Sequence, residues 1–190
     1  MTFKRTKIED VVIIEPKVHG DERGYFVETF RQDKLEDFLG FKVKFCQDNE
    51  SKSSKGVLRG LHYQLAPAAQ TKLVRVIKGR VLDVAVDIRK GSPTFGEYVS
   101  VELSEENKKQ LFVPRGFAHA FVVLEDDTIF AYKVDNYYSP ENDRGIAFND
   151  PAIGVEWGID TALLQLSDKD TKQPLLADAD LFTYGENLYA

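Results

Sequence analysis

The clearest pattern in the chain is an alternation of apolar and polar positions near its middle. The stretches LVRVI (73–77) and RVLDVAVDI (80–88) are rich in β-branched residues and are separated by Lys78 and Gly79. Two such runs joined by a two-residue turn that contains glycine are typical of a β-hairpin. The sequence therefore predicts paired strands here.

Further short strands are predicted along most of the chain. They are VVIIEP (11–16), GYFVETF (24–30), GVLRGLHYQ (56–64), YVSVELS (98–104), QLFVP (110–114), HAFVVLE (119–125) and TIFAYKVDNYY (128–138). Many short strands at close intervals favour a β-sandwich or a barrel. Helical patterns are few, with one short helix over 33–39 and others expected over 160–166 and from Lys169 onward. We expect one all-β domain over 1–190 with a few short peripheral helices.

The excess of acidic over basic residues argues against one class of partner, nucleic acids. The chain has 31 acidic and 25 basic residues, a net charge of −6, and a nucleic-acid backbone requires a surplus of lysine and arginine. We therefore expect no nucleic-acid partner, although a few local cations are enough to bind a small anion. No apolar run is long enough to span a bilayer, and residues 1–12 do not resemble a secretory signal. These features predict a cytoplasmic protein without a membrane role.

Histidine and cysteine are scarce, which argues against a metal site. The chain has one cysteine, Cys46, and three histidines, His19, His62 and His119, with no HxH pair. A transition-metal site generally uses several imidazoles and a carboxylate from one pocket, and a cysteine-based zinc site needs several thiolates. We expect no metal, and activity that survives exhaustive chelation.

His62 is a candidate general base because cations lie near it in sequence. Arg59 precedes it by three residues and Lys72 follows it by ten. Strict alternation would place Arg59 and His62 on opposite faces of one strand. Both can enter one pocket only if the strand contains an irregularity, and Gly60 is a suitable bulge residue.

Two other residues of the apolar strands have two readings each. His119 follows a Pro-Gly turn and is either a packed histidine at a pocket wall or a direct participant. Asp83 lies on the less apolar face of its strand, where it either forms an ion pair with Arg75 or Lys72 or belongs to the site.

The tyrosines and the late aspartate are ordinary by spacing alone. Tyr132 shares a strand face with Phe130 and fits an aromatic core, Tyr138 is an unremarkable strand residue, and Asp170 fits a turn or cap. Periodicity does not choose among them.

Several sequence blocks, taken together, carry a resemblance to a known family. In chain order they are GDERGYFVETF, QDNESKSSKG, GVLRGLHYQ, AQTKLVRVIKGRVLDVAVDIRKGSPTFGEY, NKKQLFVPRGFAHAF, YKVDNYYSPENDRGI, FNDPAIGVEW and LSDKD. This series strongly resembles the dTDP-4-dehydrorhamnose 3,5-epimerase family over nearly the whole chain. Each block alone is weak evidence, whereas their joint order is specific.

The resemblance implies a cupin-like jelly-roll β-sandwich and an isomerase that uses no cofactor. The family converts dTDP-4-keto-6-deoxy-D-glucose to dTDP-4-keto-L-rhamnose, in dTDP-L-rhamnose synthesis, by inverting carbons 3 and 5 beside the ketone. Removing a proton beside a ketone requires a base, together with a cation or donor at the carbonyl oxygen.

The resemblance also assigns roles. It implies that His62 is the base, that Asp170 orients it, that Lys72 holds the enolate, and that Tyr132 donates a proton from the opposite face. The implied substrate-binding residues are Arg23, Glu28, Gln47, Asn49, Arg59, His119 and Tyr138. The family is dimeric, with an N-terminal arm that reaches the neighbouring subunit's site, so Arg23 and Glu28 are expected to act across the interface.

Two residues depart from the family pattern, and three other functions remain open. His19 stands where phenylalanine is usual, and Glu50 stands where histidine is usual, so we do not expect Glu50 to be a ligand. The alternatives are a single-carbon epimerase, a ketoisomerase on a related nucleotide sugar, and a noncatalytic cupin that binds a nucleotide or glycan.

Overall fold

The structure is a computed structural model that describes residues 1–189. Its strands are β1 (Thr2–Arg5), β2 (Val12–Glu15), β3 (Val18–Asp21), β4 (Gly24–Val27), β5 (Gln47–Ser53), β6 (Leu58–Gln64), β7 (Lys72–Lys78), β8 (Arg80–Asp87), β9 (Arg89–Lys90), β10 (Tyr98–Ser104), β11 (Gln110–Val113), β12 (Phe117–Val123), β13 (Thr128–Val134), β14 (Asp143–Gly145) and β15 (Phe182–Thr183). Helix α1 spans Gln32–Leu39, and short 3-10 helices span Thr161–Leu163, Asp170–Lys172 and Leu176–Asp178.

Two antiparallel sheets form the body of the molecule. The six-stranded sheet has the order β1-β2-β11-β7-β13-β5, and the five-stranded sheet has the order β10-β8-β12-β6-β14. Buried apolar residues from both sheets pack in one cluster between them, including Val74 and Phe130 from the first sheet and Val81 and Phe121 from the second. The predicted all-β sandwich is confirmed.

The outer face of the five-stranded sheet is also covered. Trp157 and Phe182, from the segment after β14, belong to the same buried cluster as Val84 and Val86 of β8. Both faces of β8 are therefore apolar and enclosed, and the face that carries Asp83 points between the two sheets. The sequence placed this carboxylate on the less apolar face but did not show that this face would be interior.

The predicted strands and the first helix are present, with different ends in places, but the predicted pairing of β7 with β8 is wrong. β7 lies between β11 and β13 in the six-stranded sheet, and β8 lies between β10 and β12 in the five-stranded sheet. The turn at Lys78 and Gly79 therefore carries the chain from one sheet to the other, which alternation along the two runs could not distinguish from a hairpin. The strand predicted over 128–138 ends at Val134, and the later helical stretches are single 3-10 turns. Helix α1 ends at Gly40, whose φ of 80° and N–H bond to Glu36 form a left-handed cap. β5 was not predicted, because its sequence QDNESKS is polar throughout.

β3 and β4 form a hairpin outside both sheets. Nearly all of its residues are exposed, including Tyr25 at 60% and Phe26 at 69%. It contacts the body through Lys108, whose Nζ donates to Tyr25 Oη at 3.0 Å and lies 4.5 Å from the centre of the Tyr25 ring. Large exposed aromatic side chains on a protruding hairpin are typical of a surface that meets a partner.

Within residues 1–189, no helix has the length and apolar character needed to cross a bilayer. The same residues include no group of three or more His, Cys, Asp or Glu side chains placed to hold a metal ion.

Candidate active site

A cavity of about 530 Å³ opens between the two sheets. It is lined by residues from both walls and from the segment before Asp170: Glu50, Ser51, Val57, Leu58, Arg59, His62, Lys72, His119, Phe121, Phe130, Tyr132, Gln165, Leu166, Ser167 and Asp170. The cavity therefore brings together all four residues to which the resemblance assigns catalytic roles.

An irregularity at Gly60 places Arg59 and His62 in the same cavity. On β12, His119 pairs with His62 and Phe121 pairs with Arg59, so two residues of β6 face one residue of its partner. This is the bulge that the sequence required. Gly60 has a φ of 128°, and a Cβ there would lie 2.4 Å from the Cβ of Ala120, so only glycine fits.

His62 and Asp170 form a hydrogen-bonded pair. The distance between His62 Nε2 and Asp170 Oδ1 is 2.5 Å, and the aspartate side chain is only 3% exposed. Burial alone would raise the pKa of the Asp170 carboxyl, but hydrogen bonds from His62 and Ser167 outweigh it and hold the pKa below its usual range. The carboxylate therefore stays charged and fixes the imidazole.

Lys72 begins β7 on the opposite sheet. Its Nζ donates a long hydrogen bond of 3.4 Å to the carbonyl oxygen of His62. Burial lowers the pKa of Lys72 to about 8, against the attraction of Asp83 and Asp143. The ammonium is charged at neutral pH and is available to an anionic group in the cavity.

His119 pairs with Asp83 inside the sandwich. His119 Nε2 lies 3.0 and 2.9 Å from the two carboxylate oxygens, and Asp83 is fully buried. Burial lowers the pKa of His119 and raises that of Asp83. Of the two alternatives for Asp83, the ion pair with Arg75 or Lys72 is not formed within residues 1–189, and Asp83 contacts His119 of the cavity wall instead. Spacing could not indicate this contact, because 36 residues separate its two partners.

Tyr132 lies on the wall that also carries Lys72. Its ring is 6.1 Å from that of Phe130, as the shared strand face predicted. Burial raises the pKa of its hydroxyl, so the group keeps its proton and remains a donor. Tyr132 therefore packs against Phe130, as expected, and also lines the cavity.

The residues expected to bind the nucleotide are only partly assembled. Arg59 lines the cavity, and its Nη2 donates to Ser53 Oγ at 3.1 Å. Asn49 pairs with Tyr132 across β5 and β13, so it shares the inner face of the sheet, where its Oδ1 accepts a 2.8 Å bond from Gln47 Nε2. These two amides lie beside the cavity rather than in its lining.

Three expected ligands, Arg23, Glu28 and Tyr138, do not line the cavity of their own chain. Arg23 is in the exposed hairpin and forms an ion pair with Asp21 at 2.5 Å. Glu28 lies 3.6 Å from Arg31. Tyr138 is exposed, and its hydroxyl donates to Asp143 at 3.0 Å.

Sequence reasoning missed several lining residues. Glu50, which we did not expect as a ligand, reaches the cavity, as do Ser51 and the segment 165–167. The Ser51 hydroxyl is buried and makes no hydrogen bond within the described chain. Polar residues of an edge strand and of an irregular segment carry no periodic signal, so spacing could not have found them.

Comparisons with known proteins agree on one family. The family model for dTDP-4-dehydrorhamnose 3,5-epimerase matches residues 5–178. A protein of that name from Shigella flexneri is 57% identical over 182 residues, which cover 96% of this chain and 99% of the relative.

Solved structures extend this agreement to the fold. A dTDP-6-deoxy-D-glucose-3,5-epimerase from Legionella pneumophila, in complex with dTDP-4-keto-L-rhamnose, superposes with a TM-score of 0.93 at 49% identity, covering 97% of this chain and 99% of that one. A 3'-monoepimerase from Streptomyces bikiniensis, in complex with dTDP-quinovose, gives a TM-score of 0.86 at 35% identity, with 91% and 87% covered. This chain belongs to the dTDP-4-dehydrorhamnose 3,5-epimerase family.

Proposed function

We propose that this protein inverts carbons 3 and 5 of dTDP-4-keto-6-deoxy-D-glucose and releases dTDP-4-keto-L-rhamnose. The observation that carries the proposal is the arrangement of two proton-transfer groups on opposite walls of one cavity. His62 comes from the five-stranded sheet and Tyr132 from the six-stranded sheet. Inversion requires removal of a proton from one face of a carbon and return to the other.

His62 is the proposed base. Asp170 accepts the hydrogen of one ring nitrogen and so leaves the other nitrogen free to take a proton from the carbon beside the ketone. When the imidazole becomes charged, the buried carboxylate stabilises it. The electron pair of the broken C–H bond moves to the ketone oxygen as an enolate.

Lys72 is the proposed partner of that oxygen. Its ammonium is held in a mostly buried position where an electrostatic contact is stronger than in water. Tyr132 then donates its phenolic proton to the carbon from the other wall, and the enolate becomes the ketone again. The imidazolium of His62 loses its proton to solvent and the phenolate of Tyr132 takes one from solvent, so that both groups are restored before the same steps act at the second carbon.

The nucleotide is proposed to extend from this centre past Arg59 toward Gln47 and Asn49. The guanidinium offers a fork of donors suited to a diphosphate. His119 would contact the sugar from the cavity wall, and Tyr138 would close over the outer end.

The rest of the nucleotide site is proposed to come from a second subunit. Arg23 and Glu28 lie outside the cavity of their own chain, on or beside an exposed hairpin. A homodimer that exchanges this arm would supply both residues to the neighbouring site. We further propose that the enzyme acts in the cytoplasm and requires no metal or organic cofactor.

A single-carbon epimerase is the second candidate, supported by the likeness to the 3'-monoepimerase from Streptomyces bikiniensis. The two functions differ in product and not in the residues needed to start the reaction. The product must therefore be identified, since turnover alone does not separate them.

The test is conversion of dTDP-4-keto-6-deoxy-D-glucose by the purified protein, with the product identified by NMR. We expect the doubly inverted sugar from the wild type and a loss of roughly 10²- to 10⁴-fold in turnover for His62→Ala. Asp178→Ala is the control, because Asp178 is exposed and does not line the cavity, and its turnover should stay near that of the wild type. A singly inverted product would favour the second candidate, and normal turnover of folded His62→Ala would remove His62 from the reaction.

A further inference from the structure

Three adjacent strands begin or end beside Lys72, at one edge of the candidate active site. In the six-stranded sheet, Lys72 at the start of β7 pairs with Val113 at the end of β11 and with Val134 at the end of β13. The chain segments just beyond these ends therefore lie close together. β7, which carries Lys72, begins at this edge, and β13, which carries Tyr132, ends at it.

A hydrogen-bonded network joins the residues just beyond the strand ends. The Thr71 N–H donates to Asp135 Oδ1 at 2.6 Å, and Arg115 Nε donates to Asp135 Oδ2 at 3.1 Å. Thr71 is fully buried, and the Asp135 side chain is 3% exposed. A buried carboxylate thus links β7, β11 and β13.

Tyr189 completes this network from a distant part of the sequence. Its hydroxyl lies 2.7 Å from Thr71 Oγ1 and accepts the Arg115 N–H at 3.2 Å. The Arg115 guanidinium carbon is 4.9 Å from the centre of the Tyr189 ring, and Arg115 Nη1 donates to the carbonyl oxygen of Leu188 at 2.5 Å. Within residues 1–189, Tyr189 provides the only hydrogen-bond partner of the Thr71 hydroxyl.

Lys72 depends on this edge for its position. Its Nζ makes a single hydrogen bond among the described residues, the long one to the His62 carbonyl oxygen. The ammonium is therefore placed mainly by the backbone at the start of β7, directly after Thr71. A misplacement of about 1 Å at a reacting centre can lower a rate about 10²-fold.

We propose that Tyr189 is a positioning residue, which fixes the start of β7 and the end of β13 and thereby aims Lys72 and Tyr132 into the cavity. This inference rests on the roles proposed above for those two residues. Tyr189 lies beyond the residues 5–178 that the family model matches.

The test compares three single variants and one double variant, which remove or keep the hydroxyls of the contact. Tyr189→Phe and Thr71→Val each delete one partner without changing side-chain shape greatly, and each should lower kcat about 3- to 10-fold with KM within about twofold. Because both break the same bond, the double variant should be little worse than either single variant. Thr71→Ser keeps the hydroxyl and should retain kcat near the wild-type value.

Tyr184→Phe is the matched control, because it removes a hydroxyl from the same segment that forms no hydrogen bond within residues 1–189. Its kcat should stay near that of the wild type. The inference is overturned if Tyr189→Phe keeps full kcat, or if Tyr184→Phe loses as much. Lys72→Ala, measured in the same assay, distinguishes failure of the positioning role from failure of the proposed function. If Lys72→Ala is impaired while Tyr189→Phe is fully active, only the positioning role of Tyr189 is refuted. If Lys72→Ala is fully active, the proposed role of Lys72 itself is refuted.

Discussion

Lys72 shows how the surroundings of one residue set the conditions for the proposed reaction. Burial lowers the pKa of its ammonium to about 8, and the nearby Asp83 and Asp143 keep it from falling further. The group is therefore mostly charged at pH 7 and becomes neutral as the pH rises through about 8. Only the charged form can stabilise an enolate by electrostatic attraction.

We expect kcat/KM to fall as the pH rises through about 8, because this parameter reports ionisations of the free enzyme. A pH profile between 6 and 10 measures the effect. Lys72→Arg is the matched control, because a guanidinium stays charged across this range. Its residual activity should show no decline near pH 8, and an unchanged decline in Lys72→Arg would assign the titration to another group.

At this scale, the sequence could predict some neighbours and not others. The sequence indicated that Arg59 and His62 could share a cavity if β6 carried a bulge at Gly60, and that Lys72 was a nearby cation. It did not show that Lys72 would come from the opposite sheet. The pairing of His62 with Asp170, 108 residues away, came only from the resemblance, because local periodicity carries no long-range distance. The buried contact between His119 and Asp83 was missed for the same reason.

At the scale of the element, β6 is the strand whose irregularity builds the site. The bulge at Gly60 lets the side chains of Arg59 and His62 enter the same cavity. Strict alternation along the strand would place them on opposite faces. The sequence identified both the need for a bulge and the residue able to form it, since glycine accepts a positive φ and a close neighbour. It did not identify β5, because an edge strand that faces polar ligands and water need not alternate.

Gly60→Ala should destabilise the fold by about 2 kcal/mol or more, since the new methyl group would collide with Ala120 and the His119 carbonyl oxygen. Equilibrium unfolding in denaturant measures the loss. Gly24→Ala is the control, because Gly24 has a similar φ of 129° with no atom within 4 Å of the added carbon. Equal losses in the two variants would show that backbone strain, and not crowding at the bulge, explains the effect.

At the scale of the whole molecule, the β3–β4 hairpin has large aromatic side chains that the single chain leaves exposed to solvent. It holds Tyr25 and Phe26 in solvent and carries Arg23 away from the cavity of its own chain. An exchanged arm in a homodimer accounts for both observations. The resemblance suggested this assembly, whereas no pattern of hydrophobic positions could distinguish it from an ordinary surface hairpin.

Mixed dimers test the exchange directly. If Arg23 serves the neighbouring site, co-expressed Arg23→Ala and His62→Ala chains form heterodimers with one intact site, which gives about a quarter of wild-type sites in an equal mixture. We expect kcat/KM to recover accordingly. A mixture of His62→Ala and Lys72→Ala has no intact site and should not recover, and the absence of recovery in the first mixture would show that Arg23 does not act across the interface.

The central claim is that protons leave and return on opposite walls of one cavity, and Tyr132→Phe tests it most directly. This change keeps the ring and its packing but removes the proton donor. The measurement is NMR of dTDP-4-keto-6-deoxy-D-glucose incubated with each enzyme in deuterated water, with exchange and product followed in the same sample. We expect Tyr132→Phe to introduce deuterium at one or both carbons beside the ketone while forming much less of the doubly inverted sugar than the wild type. An unchanged yield of that sugar from Tyr132→Phe would contradict the account.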